Sequence, residues 1–489
     1  MKTFFLFIYR LIQIKIKRHK KTNAQRIGSI QRMSLEKVAE SIKQSVPVYQ
    51  NLKTEEVAAK AAFPVQTPDA FERNFDTSNA LGLTYAHARK ILALDGEQPH
   101  THGYFRQARL WVSDGTAGRK RVWIQSEEEQ VAEAFSLFEV LLPMLPKGRV
   151  RIACFVPSIS ELLTPFNNRY VETLAFTWGG PNESLKLLLR ASNPTILIAS
   201  PAVLRALATE VIQGRLILST SRIFSTTEVL TEEEREWLSR QFGVVIQNIY
   251  WANEGFLGHS CSFGTLHLNE DLFLVEHDYL EADHKRFFPV ITSLSRKTQP
   301  LLRYKLDDIL IERRMACACG SRHLAIEQVE GRWSDVFYLR SEVVDDWVPV
   351  FPDTLRKVIT SGSTAIQQYQ IRQISPNEIE LHLNVPQGMF GQVSWAVGEA
   401  LKRLFGQLGV RLPLLYFHIL EKAEEQELRF RNVRQMTPMA DFEARTEISI
   451  DPLFAPDKPP AEAVQNPAMR VLRILRPATH NEELTGTGG

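Results

Sequence analysis

Apolar positions at near-helical spacing, with few breakers, predict helices over residues 29–62. The period then changes. Residues 104–126 read as two strands around a turn, Phe105 to Val112 and Val122 to Gln125. A Glu-rich first turn opens a predicted helix over 127–143, the charge sign that suits the positive end of a helix dipole. Arg149 to Val156 is a short apolar strand. A helix begins at Leu185 to Leu189, Thr195 to Ile198 is a buried strand, and Pro201 to Glu210 is another helix. Ile223 to Ser225 and Val244 to Ile249 read as strands flanking a helix at Thr231 to Gln241. This alternation over 150–250 predicts an α/β fold with an at least partly parallel sheet. From 265 to 330 the pattern is one of short strands and turns. A smaller α+β unit follows over 336–440, with strands near 366–373 and 378–385, a helix at 394–408 and strands near 414–420. Residues 451–489 hold six prolines and finish on Thr-Gly-Thr-Gly-Gly, the composition of a tail.

Composition changes this picture mainly at the N-terminus. A chain of 489 residues, 44% hydrophobic and 23% charged, is ordinary globular material for roughly two to four domains. The net charge of +2 conceals an uneven distribution. Nine basic residues (Lys2, Arg10, Lys15, Lys17, Arg18, Lys20, Lys21, Arg26 and Arg32) precede the first acidic one, Glu36. The body is therefore mildly acidic, which excludes a generally basic nucleic-acid-binding protein and predicts no nucleic-acid partner. Residues 4–18 alternate apolar and basic groups, compatible with a first helix packed on the body or with peripheral contact to membrane lipid or an acidic partner. The longest clean apolar run there is Phe4 to Tyr9, short of the ~7–15 residues of a secretory signal and the ~20 of a membrane span. The expectation is a cytoplasmic protein without a transmembrane segment, for which Met33 is an alternative start. Four cysteines do not make a disulfide scaffold.

Five segments can carry chemistry. Ser113-Asp114-Gly115-Thr116-Ala117-Gly118-Arg119-Lys120 lies between two predicted strands; its small residues let backbone amides surround an anion, although Asp-Gly is also an ordinary hairpin turn. Tyr250-Trp251-Ala252-Asn253-Glu254-Gly255 follows an apolar strand, where α/β sheets place ligand chemistry. Glu254 there can hold Mg²⁺ through oxygen and Tyr250 can stack on a base; the alternative is a solvated loop. Arg303-Tyr304-Lys305-Leu306-Asp307-Asp308 offers acceptors for ribose hydroxyls, or is a charged turn. Gly331-Arg332-Trp333-Ser334-Asp335 sits at a predicted domain junction and reads as a hinge. Cys261, His267, Cys317 and Cys319 supply three thiols and an imidazole, a closed tetrahedral zinc set, though the one-residue spacer between Cys317 and Cys319 is shorter than usual. Cys154, in an apolar strand, reads as an inert core residue.

In this order the five segments resemble the adenylate-forming superfamily, specifically the phenylacetate–CoA ligase-like branch and its deazaflavin-coenzyme synthetase-related enzymes. Ser113 to Lys120 is similar to the family's Ser/Thr/Gly phosphate loop. Ile249 to Gly255 looks like its Tyr-x-x-Thr/Asn-Glu-Gly signature, Cys261 with Gly264 to Asp271 like the segment that follows, and Pro300 to Asp308 like its Pro-x-x-Arg-Tyr-x-x-x-Asp stretch; Cys317 to Gly320 and Gly331-Arg332 complete the series. The resemblance covers roughly residues 30–440. It implies a large N-terminal adenylate-forming domain with mixed sheets and a small mobile α+β C-terminal domain. The division it suggests is a basic helical arm over 1–35, a nucleotide- and acyl-binding domain over 36–332, a C-terminal domain over 333–450 and a tail over 451–489.

The implied activity has two steps. A small-molecule carboxylate attacks the α-phosphate of ATP to give an acyl-adenylate and pyrophosphate; then a thiol of CoA or a carrier-protein arm displaces AMP. By the resemblance, Ser113, Gly115, Thr116, Gly118 and Lys120 bind the phosphates, Glu254 ligates Mg²⁺, Tyr250 and Asn253 line the nucleotide or acyl site, and Asp308 and Arg332 hold the ribose. Ser334 or Asp335 is the pivot, and Cys261, His267, Cys317 and Cys319 match a structural zinc cluster of some members. An anionic nucleotide on an acidic body also needs local positive charge, expected at Arg119, Lys120, Arg303 and Arg332. Phe166, Trp178 and Phe256 can line an aromatic pocket or belong to the core. Two departures stand out. Asp114 occupies a place where the family has a small residue, and the stretch Leu428 to Arg434 lacks the family's C-terminal lysine, leaving Arg429 or Arg431, or less suitably Lys422, to act in its place. Besides acyl activation, an AMP transferase and a catalytically weak nucleotide-binding scaffold remain open at this stage.

Overall fold

The computed structural model describes residues 24–50, 64–94, 102–114, 120–143, 148–280, 285–363, 365–366, 368–386, 388–420 and 431–435. By its contacts the chain divides into two compact units, the second taking up at Arg332. Residues 1–23, most of the basic arm, and the tail lie outside the described residues. Among the described residues no helix is long and apolar enough to cross a membrane.

The first unit opens with α1 (Ala24–Ser45). It ends there because Pro47 disfavours the helical region for Val46, which is extended at φ −113°; the rest of the predicted helical run, from residue 51 to 62, lies outside the described residues. Leu35, Val38, Ala39, Ile42, Val46 and Tyr49 are buried with Leu294 and Leu302, so the lead-in after the arm is a packed part of the body. Two short helices follow, α2 (Pro68–Arg73) and α3 (Tyr85–Ile91). Next comes an antiparallel three-stranded sheet of β1 (His102–Phe105), β2 (Ala108–Asp114) and β3 (Lys120–Ser126). The single strand expected over Phe105 to Val112 is thus broken: Arg106 and Gln107 turn with φ of 46° and 64°, making a two-residue hairpin. Neither residue announces a left-handed turn as Asn-Gly would.

Ser126 and Glu129 form a reciprocal capping box that starts α4 (Glu127–Leu141). Strand–helix alternation follows: β4 (Val150–Cys154), α5 (Pro157–Leu163), β5 (Val171–Ala175), α6 (Glu183–Ser192), β6 (Ile196–Ala199), α7 (Pro201–Ile212), β7 (Arg222–Ser225), α8 (Glu232–Phe242) and β8 (Ile246–Ala252). These five strands are all parallel, in the order β8-β7-β6-β4-β5. Alternate side chains divide between two faces. Ile152, Cys154, Ile196, Ile198 and Phe224 pack with α4 and α5, whereas Ala153, Leu197, Ala199, Ile223 and Ile246 pack with α6, α7 and α8. Burial pushes the Cys154 thiol up to about 12, so it is an inert part of this core. Phe166 and Phe256 pack with the first face and Trp178 with the second.

The sheet then turns antiparallel through β9 (Gly255–Ser260), β10 (Leu266–Leu268), β11 (Phe273–Tyr279), β12 (Arg286–Ser293), β13 (Tyr304–Lys305), β14 (Asp308–Glu312) and β15 (Ala325–Arg332). The twelve strands run β11-β12-β14-β15-β10-β9-β8-β7-β6-β4-β5, with β13 beside β12.

The second unit holds a hairpin of β16 (Phe337–Arg340) and β17 (Trp347–Val350), then α9 (Pro352–Gly362), β18 (Gln368–Ser375), β19 (Glu378–Asn384), α10 (Phe390–Leu408), β20 (Leu414–Ile419) and β21 (Arg431–Gln435). Its four-stranded sheet is ordered β20-β19-β18-β21, and the inward residues of β18 and β19 pack with α9 and α10 around Leu355, Ile359, Val397, Leu401 and Phe405.

Candidate active site

Strand β8 is central in its sheet and leads straight into the tight β8–β9 connection at Asn253-Glu254, at the carboxyl ends of the parallel strands. A register shift between Tyr250 and Trp251 re-aims the side chains just before the turn. Gly255 makes the turn possible. Its φ is +133°, and a Cβ there would lie 2.9 Å from Glu133 Oε1 and 3.2 Å from Phe273 Cζ. Glu133 holds the other side of the turn by accepting the Phe256 amide at 2.9 Å and the Gln125 side-chain amide at 2.7 Å. Gly255→Ala is therefore expected to lower stability by about 1–3 kcal/mol, read as a reduced denaturant midpoint at constant slope. An unchanged midpoint would show that this turn relaxes freely.

Around the turn the structure brings together several of the sequence candidates. Tyr250 Oη donates to Asp308 Oδ2 at 2.5 Å. Asn253 accepts at its side-chain oxygen from Trp111 Nε1, 2.9 Å away, and at its carbonyl from Arg296 Nη2 at 3.1 Å. Ser113 Oγ accepts from Trp123 Nε1 at 2.9 Å, which ties the base of the β2–β3 loop to the same group of rings. Trp111 and Trp123 are stacked at 6.4 Å, and the Arg296 guanidinium lies 5.6 and 5.7 Å from their ring centres. Glu254, Tyr250, Asn253, Asp308 and Ser113 thus belong to one neighbourhood of the first unit.

Its electrostatics are uneven. Burial pushes the Glu254 carboxyl up from the ordinary carboxylate range, and the Asp308 charge adds to this; the hydrogen bond from its own backbone and the charges of Arg121 and Arg296 pull the other way. Burial, followed by the Glu254 charge, drives the Tyr304 phenol well above the usual tyrosine range. Arg121 and Arg296 are both buried, and each keeps one guanidinium nitrogen, Arg121 Nε and Arg296 Nη1, without a protein partner. Half-buried carboxylates crowded together suit a divalent cation, and buried donors left over suit the oxygens of an anion.

These arginines were not candidates from sequence, because Arg121 sits inside a strand and Arg296 in a polar connection. Arg296 is placed from a distance. Glu129, besides capping α4, accepts the amides of Lys297 and Thr298 at 2.5 and 2.8 Å, and Gln299 clamps both the Ile124 amide and the Val122 carbonyl of β3. Arg303, expected to serve the nucleotide, instead donates to Glu276 at 3.0 Å. Lys120 is exposed at the start of β3 and lines a cavity of about 680 Å³ with Arg73, Arg89, Glu72 and Asp76. Gly115, Thr116, Gly118 and Arg119 lie outside the described residues, as do Lys422 and Arg429; Arg431 opens β21, and its side chain is likewise not described. Arg332 is exposed at the start of the second unit, directly before the 3-10 turn Trp333–Asp335 that holds Ser334 and Asp335.

The cysteine–histidine set also converges. Cys261 follows β9, His267 is in β10, and Cys317 and Cys319 lie before β15, yet their four ligand atoms are all within 4.8 Å of one another. Cys261 Sγ is 3.7 Å from Cys317 Sγ, and Cys319 Sγ is 3.4 Å from His267 Nε2. Tetrahedral thiolates at ~2.3 Å from zinc would be about 3.8 Å apart. His267 Nδ1 lies 3.0 Å from the His323 carbonyl, an arrangement that orients the ring and turns Nε2 toward the sulfurs. Burial resists ionisation of Cys317, but hydrogen bonds led by Thr265 outweigh it and bring the thiol down to about 6; burial pushes Cys319 up to about 11.

No protein-family model matches the chain. Over 238 residues it is 26% identical to the phenylacetate-coenzyme A ligase of Thermus thermophilus, a match covering 45% of this chain and 52% of the relative. The chain thus spans about half the length of the curated relative it matches. Among solved structures it is similar to 2-hydroxyisobutyryl-CoA ligase in the postadenylation state in complex with R3-HIB-AMP, with a TM-score of 0.61, 15% identity, and 87% of this chain and 92% of that one covered. The same ligase in complex with 2-HIB-AMP and CoA in the thioesterification state matches with a TM-score of 0.52, also at 15% identity, over 87% of this chain and 93% of that one. The fold is that of the adenylate-forming ligases. Over part of its length the sequence is similar to a phenylacetate-coenzyme A ligase.

Proposed function

We propose that this protein is an adenylate-forming ligase that activates a small carboxylic acid as its acyl-adenylate with ATP and then passes the acyl group to a thiol of CoA or a carrier arm. The observation that supports this most directly is the clustering of Glu254, Asp308 and Tyr250 with buried Arg121 and Arg296 at the carboxyl end of β8. In the first half-reaction a carboxylate oxygen bonds to the α-phosphorus and the bond to the pyrophosphate oxygen breaks. Catalysis is mainly positioning and charge neutralisation, since negative charge spreads over phosphoryl oxygens. Glu254 would hold Mg²⁺, which when bound neutralises phosphate charge. The spare guanidinium nitrogens of Arg121 and Arg296 would take an anionic oxygen; Asp308, positioned by Tyr250, would accept from a ribose hydroxyl, and Arg332 would donate to a ribose oxygen. Ser113, Gly115, Thr116, Gly118 and Lys120 would contact the phosphates. Asn253, fixed by Trp111 and Arg296, would border the acyl pocket.

Arg429 or Arg431 would stand in for the missing lysine as a planar fork in place of a compact point charge. The turn Trp333–Asp335 would serve as the pivot between half-reactions. The cluster of Cys261, His267, Cys317 and Cys319 would hold a structural zinc, because all four tetrahedral positions are filled by protein.

The test is incubation with ATP, Mg²⁺ and a panel of carboxylates in the presence of hydroxylamine. A hydroxamate with at least one acid is the expected product. A stable adenylylated substrate would make the protein an AMP transferase, and bound ATP with neither product would make it a nucleotide-binding scaffold.

A further inference from the structure

The second unit carries another group of ligating side chains, unrelated to the site above. Strands β19 and β20 run parallel with His382 directly opposite His418. Alternation along β19 sends Ile379, Leu381 and Leu383 into the core and leaves Glu380 and His382 together on the opposite face. The two imidazoles stack with centres 4.8 Å apart and planes at 27°. His382 Nε2 is 3.4 Å from Glu380 Oε2, and one donor atom from each of Glu380, His382 and His418 lies within 4.8 Å of the others.

Two histidines and a carboxylate facing one point are a donor set for divalent ions of the zinc, nickel and copper type. Metal–donor bonds of ~2.0–2.2 Å put paired donors about 3–4 Å apart, so small side-chain rotations close the set. Stacked imidazoles repel when both carry protons, and burial, with smaller contributions from the charges of Arg372 and His418, holds His382 below the ordinary histidine range against its hydrogen bond to Glu380. A neutral imidazole offers such an ion the lone pair of a ring nitrogen. The neighbouring groups on this face are Tyr416, which pairs with Glu380 from β20, and Gln370 and Arg372, which pair with His382 and Glu380 from β18. The Arg372 charge opposes a cation and weakens the binding.

We propose that Glu380, His382 and His418 form a second metal site, one that binds a divalent transition ion and pins β20, at the edge of its sheet, to β19. His418 is exposed, so coordination positions remain open to water or an external donor.

The experiment is equilibrium dialysis of the full chain against micromolar Zn²⁺ at pH 7.5, comparing wild type with His418→Asn and His382→Gln. Wild type should retain about one Zn²⁺ per chain more than either variant, and Zn²⁺ should raise the melting temperature of wild type more than that of His418→Asn. Any zinc in the cysteine cluster is common to all three proteins and cancels in the difference. Because His418 is exposed, His418→Asn should keep the wild-type far-UV circular dichroism and decides the question even if His382→Gln misfolds. Equal zinc content in wild type and His418→Asn would overturn the proposal.

Discussion

Glu254→Gln is expected to lower the adenylation rate by well over tenfold, on the order of 2 kcal/mol or more in activation free energy, while leaving the fold intact. The substitution keeps the shape of the side chain and removes the charge that would hold Mg²⁺. Stability should move in the opposite direction. Burial and then the Asp308 charge raise the Glu254 carboxyl in the folded state, so the folded protein binds that proton more tightly than the unfolded chain does. The stabilisation is complete below the unfolded value and is lost as pH rises through the folded one. At neutral pH, without Mg²⁺ or nucleotide, the Glu254 carboxyl is thus a burden that Gln does not carry. The variant should melt at or above the wild-type temperature. Lost activity with a retained melting temperature supports the catalytic role; unchanged turnover would remove Glu254 from the site, and a large fall in melting temperature would make its role structural.

The second large effect is expected at the sulfur cluster. Metal analysis should find about one zinc per chain in excess of any ion held by His382 and His418. Cys317→Ser should abolish that zinc and destabilise the first unit by several kcal/mol, on the order of the larger single-residue effects, because metal binding free energy becomes folding free energy. The cluster joins the end of β9 and strand β10 to the segment before β15, with Cys317 56 residues beyond Cys261 in sequence but adjacent in the sheet. Chelation of the wild-type protein should reproduce the loss, measured by thermal melting. A protein that is metal-free and still melts at the same temperature would rule the cluster out.

How much of this was legible beforehand differs by element. The parallel strands β4, β6, β7 and β8 and the helices α6, α7 and α8 were readable because each is a short run bounded by strong signals, such as Ser200 before Pro201 and Thr231 before three glutamates; α5 was not among the helices expected. Strand β5 was not among the strands expected; its sequence, Val-Glu-Thr-Leu-Ala, mixes polar residues into an edge position. The hairpin at Arg106-Gln107 was hidden because left-handed backbone there is imposed by the pairing of β1 with β2 and has no glycine or asparagine to mark it.

At the site, the residues that would touch nucleotide or metal stood in contiguous motifs, since a turn after a strand concentrates them: Tyr250, Asn253 and Glu254 in one, Asp308 in another. The residues that surround these motifs were invisible. Arg296 reaches the β8–β9 turn only because Glu129 and Gln299, about 170 residues away in sequence for the former, hold the backbone on either side of it. Trp111 and Trp123 come together only when β2 pairs with β3. His382 and His418 likewise become neighbours only through the parallel register of β19 with β20.

The sequence by itself therefore determined the α/β class, the strand–helix rhythm and the identity of the motif residues, all of which depend on local periodicity and on short runs of particular side chains. Tertiary structure alone decided which charges meet. The convergence of Arg121, Arg296, Glu254 and Asp308, and the closing of Cys261, His267, Cys317 and Cys319 around one point, are consequences of strand order. Coulomb energies and coordination depend on distances of a few ångströms, and those distances are set by which strands lie side by side.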